Sequence, residues 1–407
     1  MIKILYIIND FENISLNRNA FKIAASLPRD KFTAYILALS NNGSLKDSFF
    51  TTFRHRSFIS DKSFFYGVSQ TANTIRNFGV KIVHTQTLRA DYTLFLAKML
   101  NWFQKSFRGR QRRPWESLSG SDCHDVTRLA MTKRTRIFHV ANRRNYLFLA
   151  CEPNFLFKNI LYFVSCHLAD LNICVAQHLR QKLVTRLMVP GSKVAVISNG
   201  VNPLNIVGKK NTINNPPLIT YTGQLVKRKN LILLLRALAK VTYPFRCLII
   251  GAGPEKQELE EFAQTQKLGS KVRFQPFTSN ISRFLAKTDI FVLPSLAEGM
   301  SMSLLEAMSF GIACIVSSID ANTELITHMK NGLIVPKTQT KVLAGYLDLL
   351  LKDAKLRQKL GMNAYRKIKD NYEIKKMLWR YQELYTRVSM SNFNSANLYL
   401  TLSFPEY

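Results

Sequence analysis

The chain alternates between short apolar runs and longer stretches of helix-like composition, and that rhythm narrows its possible architectures more than any other feature. The runs fall at Ile4–Ile8, Ala34–Leu39, Lys81–His84, Leu171–Val175, Val194–Ile197, Leu218–Tyr221, Arg246–Ile250, Val272–Phe274, Ile290–Leu293 and Ala313–Val316. Runs rich in Val, Ile and Leu are strands buried on both faces, as in a parallel sheet covered by helices. A doubly wound α/β architecture is expected. The rhythm breaks at Asn199–Pro203 and Gly208–Pro217, where Gly, Asn and Pro gather as in a linker. Two domains are expected, residues 1–200 and 201–371. Helix signals in the second open Leu231–Val241 and Glu255–Lys267, and its last long helix is placed at Lys341–Leu351. A helix at about 372–390 is expected to pack back on the first domain, and residues 391–407, without a period, to form a peripheral tail.

Composition enters through charge. Hydrophobic residues are 47% and charged residues 20%, enough apolar content for sizeable cores, but 57 Lys and Arg against 26 Asp and Glu leave +31. Such an excess points to a polyanionic partner. It is densest in 101–150, where eleven basic residues face Glu116, Asp122 and Asp125. Just before it, Leu94, Phe95, Met99, Leu100, Phe103 and Phe107 recur near helical spacing with Lys98, Lys105 and Arg108 between them. Arg110, Arg112, Arg113, Trp115, Arg128, Lys133, Arg134, Arg136, Arg143 and Arg144 extend the charge. A basic patch over 98–144 reads as attachment to an anionic membrane surface, each cation contributing about 1 kcal/mol, or as a helix with a solvated charged face. No pattern of a specific nucleic-acid reader occurs. Apolar stretches such as Asn159–Ala169 fall short of the roughly 18 residues that span a bilayer. The N-terminus reads as a buried strand rather than a signal peptide, so export is not expected. Six cysteines without a Cys-x-x-Cys pair and seven histidines without His-x-x-x-His signal neither zinc nor disulfides and fit a reducing cytoplasm.

Chemistry concentrates between Phe291 and Met308. A buried strand ends near Pro294, a glycine-containing loop follows, and a helix begins at Ser301 to Ser303. The free N–H groups and positive dipole of such a helix start receive anions or sugar hydroxyls. Glu298 in the loop and Glu306 on the helix can face one cleft, because open α/β sheets bind ligands at the carboxyl ends of their strands. Two carboxylates there suit a hydroxyl-rich ligand, and the plain alternative is a pair of solvated glutamates. Lys229 stands just before a helix, where the plain reading is a helix-start lysine in solvent. Gly251 and Gly253 mark a tight strand-to-helix turn.

These residues resemble the retaining GT-B glycosyltransferases of the family 4 group, the glycosyl transferases group 1. The resemblance covers most of the chain and is strongest from Leu218 to Pro336. It rests on Glu298 and Glu306 at Glu-x7-Glu spacing, Thr222-Gly223, Lys229-Asn230, Gly251 to Pro254, Glu324-Leu325-Ile326, and Asn331 to Pro336. The implied fold is α/β GT-B: two Rossmann-like doubly wound domains facing a cleft, the first binding an acceptor and the second a nucleotide sugar. Glu298 would hold the donor sugar's hydroxyls, Glu306 the ribose, and the N–H groups of Met300, Ser301 and Met302 the sugar and diphosphate. Lys229 would stabilise the leaving diphosphate, and Gly223, Gly251 and Gly253 would let backbone approach the nucleotide. The implied activity is metal-independent retaining transfer to a surface-glycan or lipid-linked hydroxyl at the cytoplasmic membrane face, by a peripheral protein with no cofactor beyond its donor.

The first domain departs from that pattern. Ile14, Ser15 and Asn17 stand where the family has Gly-Gly and Glu, and a branched residue hinders close backbone approach to phosphate. Ala141-Asn142 stands for His-Asn, with His139 two residues earlier on the same strand face. His139 and Asn142 are therefore the first domain's candidates for the donor or acceptor side. In the second domain Gln224 replaces an arginine, with Lys227 and Arg228 nearby as substitutes, and Pro276 replaces a glycine near the base. These departures motivate a second reading, a catalytically impaired GT-B scaffold that binds nucleotide sugar, membrane or a partner enzyme.

Overall fold

The computed structural model of the chain describes residues 1–12, 15–60, 63–110, 137–143, 155–203, 215–278 and 280–390. Two parallel sheets carry it. The first contains β1 (Ile2–Ile8), β2 (Phe32–Ala38), β3 (Ser57–Ile59), β4 (Ile82–Thr85), β5 (Phe138–Arg143), β6 (Leu171–Cys174) and β7 (Val194–Val196), in the order β3-β2-β1-β4-β5-β6-β7. The second contains β8 (Leu218–Thr222), β9 (Arg246–Ile250), β10 (Val272–Gln275), β11 (Ile290–Leu293), β12 (Ala313–Ser317) and β13 (Leu333–Val335), in the order β10-β9-β8-β11-β12-β13. Every pairing within the sheets is parallel. In each sheet the winding reverses beside the first strand, at β1/β4 and β8/β11. A doubly wound sheet opens its ligand crevice at that point.

The helices α1 (Ser15–Ser26), α2 (Lys46–Phe53), α3 (Phe64–Phe78), α4 (Leu88–Arg110), α5 (Phe155–Leu168) and α6 (Gln177–Arg186) belong to the first half. The second has α7 (Leu231–Leu238), α8 (Lys256–Thr265), α9 (Ser282–Leu285), α10 (Met302–Ser309), α11 (Asp320–Leu325), α12 (Thr340–Lys352) and α13 (Ala354–Asn371), and α14 (Ile374–Ser389) closes the chain's described part. Local chemistry sets several boundaries. The Ser63 hydroxyl accepts from Tyr66 N at 3.1 Å to start α3, which ends on Gly79 at φ 62°. Asp353 accepts from Leu356 N at 2.8 Å to start α13. That 18-residue helix corrects the expectation that Lys341–Leu351 is the domain's last long one.

The ten apolar runs all fall on strands. The structure adds β3 and β13, each three residues long, and β5, where His139, Asn142 and Arg143 interrupt the apolar run.

Helix α14 crosses back to the first domain. Ile374, Met377, Tyr381, Leu384, Tyr385 and Val388 join the core formed by Ile4, Tyr6, Ile8 and Phe138. The Tyr6 hydroxyl donates to that of Tyr385 at 3.0 Å, and His84 Nδ1 lies 2.5 Å from the same oxygen. A second junction joins α6 to α11. The Glu324 carboxylate accepts from the amides of Gln177 at 2.6 Å and His178 at 3.3 Å, where a helix N-terminus favours negative charge. Lys182 pairs with Asp320 at 2.6 Å beside it. The linker at 204–214 and the tail at 391–407 lie outside the described residues.

Candidate functional site

The carboxyl ends of the two sheets face each other across a cleft of about 1000 Å³. From the second domain it is lined by the loops after β8, β9, β10 and β11 and the start of α10. From the first come the loops after β1, β2, β4, β6 and β7, the last residues of β5, the start of α4, and Arg18 of α1.

Glu298 sits in the loop after β11 with both carboxylate oxygens engaged. Lys229 Nζ bonds Oε1, and Arg228 Nη1 donates to Oε2 at 3.1 Å and to the Ala297 carbonyl at 2.9 Å. The Lys229 and Glu298 side chains are only 9% and 8% exposed, so this pair is held away from bulk water. Each carboxylate oxygen keeps a second lone pair for an incoming hydroxyl. The backbone sets the position of Lys229. A single 3-10 turn over Lys227–Lys229 ends on Asn230 in the left-handed region at φ 54°, a conformation that asparagine tolerates. Asn230 Nδ2 then ties this loop to the carbonyls of Pro294 at 3.3 Å and Lys337 at 3.2 Å.

Helix α10 starts at the cleft. Ser301 caps it, its hydroxyl accepting from Leu304 N at 3.4 Å and lying 3.0 Å from the Ser303 hydroxyl. Met300, Ser301, Met302 and Ser303 all line the cleft, which brings the helix's positive end to it. Glu306 follows one turn later and also lines the cleft. Burial raises its pKa above the ordinary carboxylate value, and the positive charges of Arg18 and Lys22, one turn apart on α1, pull it partly back. Burial, and then the neighbouring Arg18, lower the Lys22 pKa.

The glycines split in position. Gly223 lines the cleft at φ 154°, and a Cβ there would stand 2.7 Å from the Tyr221 hydroxyl. Gly251 and Gly253 do not line it, although Ala252 between them does. A Cβ on Gly251 would meet the Gly223 carbonyl at 1.8 Å, and one on Gly253 the Leu225 carbonyl at 2.2 Å. The two glycines make the tight turn that the sequence marks, packed on backbone: Leu225 N donates to Ala252 O at 2.9 Å and Glu255 N to Leu225 O at 3.1 Å, fixing the lysine-bearing loop.

In the first domain Asn142 lines the cleft and His139 does not. His139 stands four residues, about 13 Å, before the carboxyl end of β5 and on the opposite strand face to Asn142, so it does not reach the cleft. Its Nε2 meets Thr85 Oγ1 at 2.9 Å and Asp91 Oδ1 at 3.2 Å, and burial lowers its pKa, which leaves the ring neutral near pH 7. Asn142 donates to the Tyr381 hydroxyl at 3.4 Å, while its Oδ1 is buried with no partner among the described residues. Asn199 Nδ2, also cleft-lining, is in the same condition. Asn17 is drawn into structure, donating to Asp10 Oδ1 at 2.9 Å and the Glu12 carbonyl at 3.0 Å. Ile14 and the Ser15 side chain lie outside the described residues.

The basic patch changes shape. Arg143 is 3% exposed and belongs to a buried network, not to a surface. Its Nη1 donates to Asp91 Oδ2 at 2.6 Å, Nε to Asn172 Oδ1 at 2.7 Å and Nη2 to Ser165 Oγ at 2.9 Å. Lys98 pairs with Asp170 at 3.7 Å. The side chains at 102–110 and all of 111–136 and 144–154 lie outside the described residues, so the rest of the patch does too. Arg18, Lys22 and Asn199 carry no sequence signal. They join the site only because the domains face each other.

The profile of the glycosyl transferases group 1 family matches residues 205–367. A 232-residue match that is 28% identical, covering 52% of this chain and 59% of the relative, links it to an Escherichia coli UDP-Gal:alpha-D-GlcNAc-diphosphoundecaprenol alpha-1,3-galactosyltransferase. The Staphylococcus aureus capsular polysaccharide biosynthesis glycosyltransferase CapM is 22% identical over 77% of this chain and 86% of its own. The first curated relatives are matched over 55 to 59% of their length. Among solved structures, Anabaena HepE in complex with UDP and glucose superposes with a TM-score of 0.75 at 15% identity, over 95% of this chain and 100% of that one.

Proposed function

We propose that this protein, whose residues 205–367 match the glycosyl transferases group 1 profile within a GT-B fold, transfers a sugar from a nucleotide-sugar donor to a hydroxyl of a surface-glycan or lipid-linked acceptor, with retention of anomeric configuration. The observation that carries this reading is the joint presentation of Glu298, Lys229, the α10 N-terminus and Glu306 along one wall of the cleft. The relative named for acting on a diphosphoundecaprenol-linked sugar supports the lipid-linked acceptor, and the capsular relative supports a surface glycan.

In this reading Glu306 accepts hydrogen bonds from the ribose hydroxyls. The amides of Met300, Ser301 and Met302 meet the sugar and diphosphate, and Glu298 orients the sugar through the free lone pairs of its carboxylate. Lys229 and Arg228, already gathered on Glu298, flank the diphosphate as negative charge grows on it, and Arg18 approaches from the opposite wall. Preorganised cations of this kind stabilise a leaving group without reorganising during the reaction, so a metal ion is not required for that task. The acceptor hydroxyl attacks from the face the diphosphate leaves, and a departing phosphate oxygen takes its proton. No protein nucleophile is needed. Asn142 Oδ1 and Asn199 Nδ2 offer the acceptor side one free acceptor and one free donor.

A thermal-shift panel of nucleotide sugars and free nucleotides tests the donor site. One nucleotide sugar is expected to raise the unfolding midpoint, a gain of about 2.7 kcal/mol at a hundredfold excess over its dissociation constant. Glu306→Ala should abolish the gain. Midpoints unmoved by every member would move the scaffold reading ahead.

Acidification provides a separate check. The raised Glu306 pKa means that protonation begins at higher pH than the ordinary 4.5, so nucleotide affinity should start to fall there. Stability moves oppositely: a carboxyl whose folded pKa lies above its unfolded one stabilises the fold below the unfolded value and loses that contribution as pH rises through the folded one. Glu306→Gln should flatten both trends in calorimetric titrations and melts, and unchanged trends would remove Glu306 from the ribose site.

A further inference from the structure

The outer surface of the first domain carries an apolar face that the cleft does not use. On α5, Phe157, Ile160, Phe163, Val164 and Leu168 are between 38% and 62% exposed. At 3.6 residues per turn these five positions fall within one arc of about 140°. Tyr162, Ser165 and Cys166, on the opposite side, are buried in the domain. A helix apolar nearly all round is ordinarily covered on every side, yet α5 is covered on one.

The face continues onto α4. The Tyr92 hydroxyl donates to the Leu161 carbonyl at 2.5 Å, laying the two helices side by side. Phe95 and Met99, one turn apart on α4, are 38% and 41% exposed, and Phe95 shares a small pocket with Leu168 of α5. Other large exposed apolar side chains, such as Met188 and Trp379, lie on other elements. A contiguous patch of this kind marks an interaction surface.

Charge and position say what covers it. The chain is +31 overall. Lys98, paired with Asp170 at 3.7 Å, lines the pocket shared by Phe95 and Leu168, and Lys193 Nζ reaches the His167 carbonyl at 3.3 Å by the end of α5. The same two helices border the cleft on their inner side, through Leu88 and Arg89 of α4 and Tyr162 of α5. None of the described helices is long and apolar enough to cross a membrane. An apolar helix face with basic neighbours and no spanning length lies in the plane of a bilayer interface.

We propose that the α4–α5 face docks on an anionic lipid bilayer, with Phe157, Ile160, Phe163, Val164 and Leu168 at the acyl boundary and Lys98 and Lys193 at headgroup level. Vesicle binding is read without any sugar transfer, so it succeeds or fails independently of the donor site.

The test sediments the full chain with phosphatidylcholine vesicles, with and without phosphatidylglycerol. The wild type should pellet with the anionic vesicles, and the triple variant I160S/V164S/L168S should bind about tenfold more weakly or worse, given the apolar area it removes from the interface. Its melt should remain a single cooperative transition, because about half of each of these side chains is exposed. A Phe163→Trp variant, which keeps the apolar area, should show emission quenched by brominated lipids. The proposal fails if the wild type does not bind, if binding responds to salt but not to the triple variant, or if the introduced tryptophan is not quenched. It also fails if the triple variant dissolves a dimer in sedimentation equilibrium while vesicle binding persists, which would assign the face to a second copy of the chain.

Discussion

Lys229→Ala is expected to slow sugar transfer by about 10²- to 10³-fold, the loss seen when one preorganised group facing developing charge is removed. The geometry explains why the effect should be large. Lys229 is buried and fixed by a 3-10 turn, so no water can take its place without cost. Arg228 remains on Glu298 through its Oε2, and the glutamate stays paired. In the proposed transfer charge grows on the diphosphate as the sugar bond breaks, so kcat/KM should fall much further than the dissociation constant of the intact donor rises. Equal losses in both would make Lys229 a simple binding residue. A fall in the thermal midpoint to match would make it a structural one.

Asp91→Asn is expected to cost about 3–5 kcal/mol of stability, because removing one member of a buried ion pair leaves the other charge uncompensated. Asp91 is 4% exposed and receives Arg143, the Ser165 hydroxyl at 2.5 Å and the Thr85 hydroxyl, with His139 at 3.2 Å. Despite its burial, the Arg143 guanidinium and these donors hold its pKa well below the ordinary carboxylate range. A depressed folded pKa gives stability that is present above the unfolded value and lost as pH falls through the folded one, so the full contribution is in place at neutral pH. Asp91→Leu with Arg143→Met should be less destabilised in urea than Asp91→Asn alone, since both charges leave together. Additive losses would show that the pair is not coupled.

The strands were legible because burial on both faces leaves uninterrupted aliphatic runs. β5 broke that rule through the side chains the fold uses there: His139 and Arg143 turn into the Asp91 network, and Asn142 faces the cleft. The Glu298, Glu306 and Lys229 constellation was readable because it lies within one domain, on loops whose spacing is fixed by short connections. Arg18 was not, since its place opposite Glu306 depends on how two domains face each other. Arg143 was misread as a surface charge for a related reason. Its partner Asp91 lies 52 residues earlier, and a cation's neighbours in sequence do not reveal a carboxylate brought from another element.

Helix α14 has a consequence for the order in which the chain is made. Tyr6 meets Tyr385 across 379 residues, and Ile4, Ile8 and Phe138 share their core with Met377, Tyr381 and Leu384. At about 5–20 residues per second of synthesis, β1 leaves the ribosome tens of seconds before the helix that covers it. The second domain, whose strands and helices are contiguous in sequence, can close in that interval, while the first keeps an apolar face open to chaperones. A nascent chain stalled before Ile374 should therefore show a protease-resistant second domain joined to a first domain still open to cleavage. The half of the protein that is translated first is completed last.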